Sequence, residues 1–289
     1  MRVLILGAAG MLGHKVWQVA GEHFETWAAV RSPAALPPTL AAQPRIIAGV
    51  QAQHHDSLVE AFAVARPDAV VNCVGIVKQA AEGVQSIPSL SINALLPHRL
   101  AGLCRVSGAR LVHISTDCVF SGNAGKYVES DIADATDLYG RTKLLGEVAG
   151  DNSLTLRTSM IGREIISRHG LLEWFLSQQG EVRGFTNAWF SGPTTLELAR
   201  VIAGVLAKPA LSGVFHVSAD RINKHDLLLR LKDRYRRQVT VVQDASVQLD
   251  RSLDSSRFQA ASGWVPPSWD RLIDEMAADP SPYDVWRTA

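Results

Sequence analysis

The sequence predicts an α/β protein built on a doubly wound parallel sheet, with a smaller C-terminal α/β region. Three observations predict this fold class. Apolar, β-branched segments alternate with helical segments over residues 1–158. The strand segments are continuous apolar runs, which are typical of parallel strands buried on both faces. Three regularly spaced glycines follow the first of these runs directly.

The elements of the first region are predicted in chain order, with right-handed crossovers between parallel strands. Strands are predicted at Val3–Leu6, Thr26–Val30, Arg45–Ala48, Ala69–Asn72, Leu111–Ile114 and Leu154–Leu156. Helices are predicted at Met11–Ala20, Ser57–Ala65, Asn93–Ser107 and Tyr139–Ala149. The segment Ser32–Pro44 contains four prolines, so we expect a loop or a broken helix there.

Residues 159–289 follow a looser pattern and are predicted to form a smaller substrate-binding region that packs back, in part, on the first. Residues 162–192 are aromatic and lack a clear period. Helices are predicted at Pro193–Leu206, Lys224–Tyr235 and Trp269–Ala277, and strands at Val214–Ser218 and Val239–Val242. This region is too short for a second large core, so we expect it to form a cleft with residues 1–158.

Composition excludes several classes of function. A formal net charge of +1 gives no broad basic surface, so we expect a small-molecule ligand, with no nucleic acid and no membrane as partners. Cys73, Cys104 and Cys118 lack C-x-x-C spacing, so reduced thiols and no metal site are expected. Glycines and Lys15 interrupt the N-terminal apolar run and argue against a signal peptide, so we expect a cytoplasmic protein.

The three glycines are Gly7, Gly10 and Gly13, placed between the first strand and the first helix. Glycine here permits a tight turn, a close approach of backbone N–H groups to a pyrophosphate, and close packing of helix on strand. The spacing therefore predicts a Rossmann-type dinucleotide site, which includes Met11 and Leu12. A glycine-rich turn without a ligand is the alternative interpretation.

The end of the second predicted strand bears on the choice of dinucleotide. A carboxylate there would favour NAD, but the strand ends in Arg31-Ser32. The guanidinium of Arg31 suits the 2′-phosphate of NADPH, so NADPH is predicted, with NADH left open. A solvated surface arginine is the alternative.

A second group of residues indicates acid–base chemistry. Tyr139 and Lys143 are four residues apart, hence on one face of a helix, and we expect the ammonium to lower the pKa of the phenol. Hydroxyl groups of Ser115 and Thr116 follow the fifth strand, at the sheet edge where an open α/β fold binds its ligand. The residues Asn72, Cys73, Val74, Gly75 and Asn93 follow the fourth strand and are assigned, with Tyr139 and Lys143, to the cofactor site.

Together these motifs resemble the extended short-chain dehydrogenase/reductases, and within them the dTDP-4-dehydrorhamnose reductase group of nucleotide-sugar enzymes. The segments that carry the resemblance are residues 7–13, 115–122, 127–131, 139–147, 156–158 and 192–194. Beyond about residue 200 the resemblance is looser, although residues 215–218 and 250–253 retain some of it.

The resemblance implies that NADPH reduces the C4 ketone of a nucleotide-diphospho-4-keto-6-deoxy sugar, for surface polysaccharide synthesis. Tyr139 would protonate the forming alkoxide, Lys143 would bind the nicotinamide ribose, and Thr116 would bind the substrate oxygen. Substrate contacts are predicted for Ser115, Thr116, Asp117 and Cys118. Trp189, in the aromatic segment Phe185–Phe190, is predicted to contact the nucleotide base or the sugar, with ordinary core packing as the alternative. Related 4,6-dehydratases carry a second acid at the position of Cys118, so reduction rather than elimination is implied.

Two other functions are left open by the sequence. One is a nucleotide-sugar epimerase with tightly bound NAD, and the other is a non-catalytic NADP-binding regulatory subunit. The presence of Thr116, Tyr139 and Lys143 together favours an enzyme. Seven basic residues in Arg221–Arg237 are interpreted as the solvated face of an amphipathic helix, one of whose arginines could bind the substrate diphosphate. The sugar, the nucleotide base, the C4 stereochemistry, a metal requirement and a homodimer are left open.

Overall fold

The computed structural model describes residues 1–77, 85–150, 152–208 and 210–287. Its strands are β1 (Arg2–Leu6), β2 (Glu25–Ala29), β3 (Ile46–Ile47), β4 (Ala69–Asn72), β5 (Arg110–Ile114), β6 (Ser153–Arg157), β7 (Gly180–Phe185), β8 (Ala188–Phe190), β9 (Gly213–His216), β10 (Ile222–Asn223), β11 (Val239–Asp244) and β12 (Leu249–Asp250). Within the described residues, seven of these strands form one parallel sheet in the order β3-β2-β1-β4-β5-β6-β9.

Helices cover both faces of that sheet, and others pack on the smaller sheets. They are α1 (Gly13–Gly21), α2 (Pro38–Ala41), α3 (His55–Ala65), α4 (Ser86–Ser89), α5 (Leu96–Ser107), α6 (Leu138–Leu145), α7 (Leu171–Ser177), α8 (Thr195–Leu206), α9 (Lys224–Arg234), α10 (Ser256–Ser262), α11 (Trp269–Ala277) and α12 (Tyr283–Trp286). A π-helical turn, Leu90–Leu95, leads directly into α5. The Ser32–Pro44 segment is a broken helix, as expected, with a 3₁₀ turn before α2.

The apolar runs of the strands are buried on both sides. In β1, Val3 and Ile5 join a core cluster with α1 and α8, whereas Leu4 and Leu6 join a second cluster with α3 and α5. Successive side chains of a strand point to opposite faces, so a strand buried between two helical layers needs an unbroken apolar run. The predicted doubly wound α/β fold is confirmed.

The C-terminal residues contribute both to this sheet and to two smaller ones. Strand β9 pairs with β6 in the central sheet, while the small sheets have the orders β10-β8-β12 and β11-β7. A separate apolar cluster contains residues of α7, α9 and α11, which pack together beside β7 and β11. The predicted irregularity of residues 162–192 is wrong, because α7, β7 and β8 lie there. The boundary at residue 158 stays a prediction.

No helix in the described ranges has both the length and the apolar composition needed to cross a membrane. The helix that carries Tyr139 also ends earlier than predicted, at Leu145, since Gly146 follows it as the capping residue.

Candidate active site

The glycine turn between β1 and α1 is built so that backbone atoms approach one another closely. Gly7 has a left-handed φ of +79°, and its carbonyl oxygen accepts a hydrogen bond from the N–H of Gly10 at 2.9 Å. A Cβ atom on Gly13 would overlap that same carbonyl oxygen. A Cβ on Gly7 would lie 3.2 Å from the carbonyl of Cys73, so the turn also abuts the loop after β4. Only glycine fits the first and third positions.

The two intervening residues have different surroundings. Leu12 is 6% exposed and belongs to the core cluster beneath α1. The Met11 sulfur would lie 3.5 Å from a Cβ placed on Gly170, so its side chain faces the loop before α7. Their assignment to the cofactor site stays a prediction.

The loop after β4 is shaped by two buried asparagine side chains. The Asn72 Oδ1 atom accepts from the N–H of Val74 at 3.1 Å, which turns the chain at the end of the strand. The Asn93 Oδ1 atom accepts from the N–H of Ile76 at 2.9 Å, and its Nδ2 donates to the Ile76 carbonyl at 3.0 Å. The two Asn93 bonds satisfy the N–H and the C=O of Ile76, as a neighbouring strand would. They hold the loop, which includes Gly75, at the carboxyl edge of the sheet.

Asn93 lies within the π-helical turn before α5, an irregularity that is common at functional sites. Its Nδ2 also donates to the Thr142 hydroxyl of α6 at 3.3 Å. A Cβ on Gly146 would overlap the Asn93 carbonyl oxygen, so α6 approaches the π turn closely. Asn93 thereby links the loop after β4 to the helix that carries Tyr139 and Lys143.

Lys143 is buried between that loop and the end of β5. It is 4% exposed, and its Nζ donates to the Ile114 carbonyl at 2.6 Å. A Cβ on Gly75 would lie 4.0 Å from the same nitrogen. Burial lowers the pKa of Lys143 to about 8, although the charges of Glu147 and Cys73 oppose the shift.

Thr116 begins the turn after β5, and Tyr139 lies beside it. The Thr116 Oγ1 accepts from the N–H of Cys118 at 3.1 Å and donates to Asp117 Oδ1 at 3.2 Å. Burial raises the pKa of Tyr139, the nearby acidic groups of Cys118 and Asp117 add to the rise, and the Thr116 side chain opposes it.

The expectation that Lys143 lowers the pKa of Tyr139 is therefore wrong in direction. The ammonium of Lys143 is directed at the Ile114 carbonyl, and burial is the largest influence on the phenol. A phenol whose pKa is raised stays protonated at neutral pH. Tyr139 is consequently available as a proton donor.

The Ser115 side chain lies apart from this group. Its hydroxyl donates to Glu147 Oε1 at 2.7 Å. Glu147 in turn forms a two-bond ion pair with Arg157, with both N–O distances 2.8 Å and both side chains less than 10% exposed. Ser115 therefore joins a buried network that ties α6 to β5 and β6, and its predicted substrate contact stays a prediction.

Two basic residues that the sequence analysis did not assign reach the Thr116–Cys118 turn. Arg251 Nη1 lies 3.5 Å from the Cys118 sulfur, and Arg251 Nε donates to the Phe120 carbonyl at 2.9 Å. Lys224 is the first residue of α9, and its charge acts on Asp117, Arg251 and Cys118. The basic run after Arg221 was the only sequence signal for Lys224.

Trp189 lies near these two residues but on the small β10-β8-β12 sheet. It is paired in register with Asn223 and Asp250, the residues just before Lys224 and Arg251. The Arg221 guanidinium covers one face of the indole at 3.8 Å from the ring centroid and also pairs with Asp250 at 3.0 Å. Trp189 therefore lies beside the cleft, and the Arg221 guanidinium covers one face of its indole ring.

Arg31 lies at the opposite end of the site, after β2. Its carbonyl accepts from the N–H of Gly49 at 3.2 Å, which fixes the backbone, while the residue is exposed. Within the described ranges its guanidinium has no hydrogen-bond or ion-pair partner, as a side chain that binds a phosphate requires. No group of three or more His, Cys, Asp or Glu side chains able to hold a metal is found in the described part of the chain either.

The C-terminal segment, defined here as residues 279–287, packs against the glycine turn and α1. The His14 Nδ1 donates to the Gly10 carbonyl at 2.8 Å, and its Nε2 lies 2.8 Å from the Tyr283 hydroxyl. Burial lowers the pKa of His14 to about 4, so the ring is neutral, and the Tyr283 hydroxyl lies within hydrogen-bond distance of two acceptors, Nε2 at 2.8 Å and Asp279 Oδ2 at 3.2 Å. Lys15 and Asp279 form a buried ion pair beside it. Further contacts join Arg163 to Asp284, Arg287 to Glu173, and Trp286 to Thr39.

A parallel sheet with a glycine turn after β1, and a Tyr–Lys pair beside Thr116, define a dinucleotide-dependent protein of the short-chain dehydrogenase/reductase class. The family model described as "RmlD substrate binding domain" matches residues 1–281, and the chain belongs to this family. The resemblance inferred from the motifs is confirmed.

Named relatives agree with this assignment. The chain is 27% identical over 242 residues to dTDP-4-dehydrorhamnose reductase of Salmonella typhimurium, covering 73% of this chain and 80% of the relative. It is 33% identical over 174 residues to dTDP-4-keto-6-deoxy-D-glucose reductase of Streptomyces niveus, covering 56% of this chain but only 59% of that relative. The crystal structure of a hypothetical dTDP-4-dehydrorhamnose reductase from Sulfolobus tokodaii superimposes with a TM-score of 0.75 at 26% identity, covering 90% and 94% of the two chains.

Proposed function

We propose that this chain is an NADPH-dependent reductase of the C4 ketone of a nucleotide-diphospho-4-keto-6-deoxy sugar, serving surface polysaccharide synthesis. One observation carries the proposal: Tyr139, with a raised pKa, lies beside Thr116 at the carboxyl edge of the sheet, and Lys143 is buried on the same helix. The reductase names of the relatives support the choice of substrate class.

The residues present fit the dinucleotide. A Cβ at Gly7 or Gly13 would fill the turn, and its absence allows backbone N–H groups of the turn and of the start of α1 to approach a pyrophosphate. Arg31, whose guanidinium has no partner among the described residues, would offer it to a 2′-phosphate, and the loop containing Gly75 would line the same site. NADPH, when bound, supplies the hydride; NADH is the alternative that a cofactor comparison tests.

The side chains of this chain handle the proton and the orientation of the substrate. Thr116 would turn its hydroxyl from Asp117 Oδ1 to the substrate carbonyl oxygen, and Tyr139 would donate its proton to the same oxygen as the alkoxide forms. Lys143 would bind the hydroxyl groups of the nicotinamide ribose. General-acid assistance of this kind contributes roughly 10²–10⁴-fold. Cys118 offers no second carboxylate for elimination, and its thiol stays protonated because burial raises its pKa to about 12.

Replacement of Tyr139 by Phe tests the assignment. We expect turnover to fall by roughly 10²–10⁴-fold, because only the proton donor is removed. NADPH affinity, measured by fluorescence titration, should stay within about twofold, and dTDP-4-dehydrorhamnose is the first substrate to assay. Unchanged turnover in the variant would contradict the role of Tyr139.

Two further measurements separate this function from its rivals. Tightly bound NAD⁺ that copurifies with the protein would favour an epimerase over a reductase. NADPH binding without turnover of any 4-keto sugar nucleotide would favour a regulatory subunit. We further propose a cytoplasmic location, and light scattering after gel filtration tests the homodimer that the sequence leaves open.

A further inference from the structure

Ser115 lies between the residue that holds Lys143 and the residue assigned to the substrate. The Ile114 carbonyl accepts from the Lys143 Nζ at 2.6 Å, and Thr116 begins the turn that follows β5. The Ser115 hydroxyl donates to Glu147 Oε1 at 2.7 Å. Because the three residues are consecutive in the chain, the position of the Glu147 carboxylate affects both neighbours of Ser115.

The Glu147 carboxylate is itself fixed by Arg157 on β6. The Nε and Nη2 atoms of Arg157 donate to the two carboxylate oxygens, each at 2.8 Å, and the two side chains are 8% and 7% exposed. Arg157 Nη1 lies 3.3 Å from His216 Nε2, and burial lowers the pKa of His216, so that ring is neutral and accepts. Such a two-bond pair sets both the position and the charge of the carboxylate.

The other titratable groups that face Lys143 carry no charge near neutral pH. Burial raises the pKa of the Cys73 thiol, in the loop after β4, to about 12. Burial, with the charge of Lys143 adding to it, lowers the pKa of His113 on β5 well below its ordinary range. Tyr139, one turn earlier on α6, is protonated because burial raises its pKa. Among the described groups that act on Lys143, Glu147 is therefore the ionised one.

A fixed negative charge opposes the loss of the ammonium form that burial favours. Burial lowers the pKa of Lys143 to about 8 even though Glu147 acts in the opposite direction. An uncharged group in place of Glu147 would let Lys143 lose its proton at a lower pH. The neutral amine has one N–H donor fewer, and one of those left is directed at the Ile114 carbonyl, so it would hold ribose hydroxyl groups less well.

We propose that Glu147 is a positioning residue for the reduction. Its charge keeps Lys143 in the ammonium form, and its hydrogen bond from Ser115 holds the end of β5 that carries Thr116. The proposal rests on the proposed function, which assigns Lys143 to the cofactor and Thr116 to the substrate. Glu147 contacts Ser115 and Arg157, so it acts through other residues.

The pH dependence of Glu147→Gln tests the role of the charge. Glutamine keeps the size of the side chain and an oxygen that accepts from Ser115, so mainly the charge is lost. We expect the pH at which kcat/KM for NADPH falls to move down by roughly one unit, because Lys143 loses its proton earlier. NADPH affinity, measured by fluorescence titration at each pH, should move in the same direction without requiring turnover. Glu147→Asp keeps the charge and should restore the original pH.

Glu173→Gln is the matched control, because Glu173 is also a buried carboxylate, 3% exposed, and pairs with Arg163 at 2.7 Å. It should lower the unfolding temperature and leave the pH of the fall unchanged. Ser115→Ala keeps the Glu147–Arg157 pair, so it tests the positioning of β5 even if Glu147→Gln does not fold. We expect its kcat to fall by roughly threefold or more, with little change in the KM for NADPH.

Three results would each overturn the positioning role. They are an unchanged pH of the fall in a folded Glu147→Gln variant, an equal downward shift in Glu173→Gln, and an unchanged kcat in Ser115→Ala. If the pH dependence of NADPH affinity shifts as expected in Glu147→Gln, but NADPH is not oxidised with any 4-keto sugar nucleotide, the proposed function alone is overturned.

Discussion

Lys143 combines deep burial with a charge that the proposed reaction needs. Its ammonium is 4% exposed and is directed at the Ile114 carbonyl. A pKa of about 8 places its titration close to neutral pH, while the raised pKa of Tyr139 keeps the phenol protonated there. Within this pair the lysine, rather than the tyrosine, sets the response to pH.

We therefore expect kcat/KM for NADPH to be level below pH 8 and to fall as the pH rises through about 8, because the ammonium form is lost. Stability should respond in the opposite direction. The folded chain binds fewer protons at Lys143 than the unfolded chain between about pH 8 and the model-peptide value of 10.5, so this group makes folding more favourable as the pH rises across that range. Lys143→Arg, which stays charged, should remove the fall in rate; a fall that persists would contradict the assignment.

The glycine turn offers a prediction with an internal control. Gly13→Ala would drive a Cβ into the Gly7 carbonyl, so we expect it to weaken NADPH binding at least tenfold and to lower stability by about 1–3 kcal/mol. Gly204→Ala, in α8, meets no atom within 4 Å and should raise stability by up to about 1 kcal/mol. Titration of NADPH and thermal unfolding measure both effects. Equal behaviour of the two variants would contradict the steric argument.

At the scale of elements, the Glu147–Arg157 ion pair joins the end of α6 to β6. Replacing Glu147 by Gln leaves the Arg157 charge buried without its partner, so we expect a loss of about 3–5 kcal/mol in the free energy of unfolding. Urea denaturation measures it. The control Glu129→Gln removes a carboxylate that accepts only from the His216 backbone N–H in the described part, and its effect should be smaller. Equal losses would contradict the special role of the pair.

The helices and strands that could be predicted from the sequence are those indicated by residues close together in the chain. Strands β1 and β4 carry apolar runs, and the spacing of Gly7, Gly10 and Gly13 indicates a turn, so these elements could be predicted from neighbouring residues. Strands β7 and β8 were missed because they are stabilised by β11 and β12, more than 50 residues further along the chain. The pKa of Tyr139 and the approach of Arg251 to Cys118 likewise depend on burial and on contacts between distant elements, which periodicity does not encode.

At the scale of the whole molecule, the C-terminal segment spans from α1 to the loop before α7. Deleting residues 279–289 would remove the partners of Lys15 and of His14 Nε2, so the His14 ring that contacts the Gly10 carbonyl would be held less firmly. We expect the truncated chain to lose NADPH affinity more than sugar-nucleotide affinity, and to unfold at a lower temperature. Tyr283→Phe, which removes one hydroxyl, should also weaken NADPH binding more than sugar-nucleotide binding, by a smaller factor. Equal loss of both affinities would contradict the link between the C-terminal segment and the glycine turn.

Strand β9 makes the C-terminal region part of the central sheet. Because Arg157 and His216 are register partners at the carboxyl ends of β6 and β9, the polypeptide leaves the sheet toward the cleft twice, side by side. A fragment ending at residue 158 would lack β9 and would leave β6 as an open edge, prone to pair with other chains.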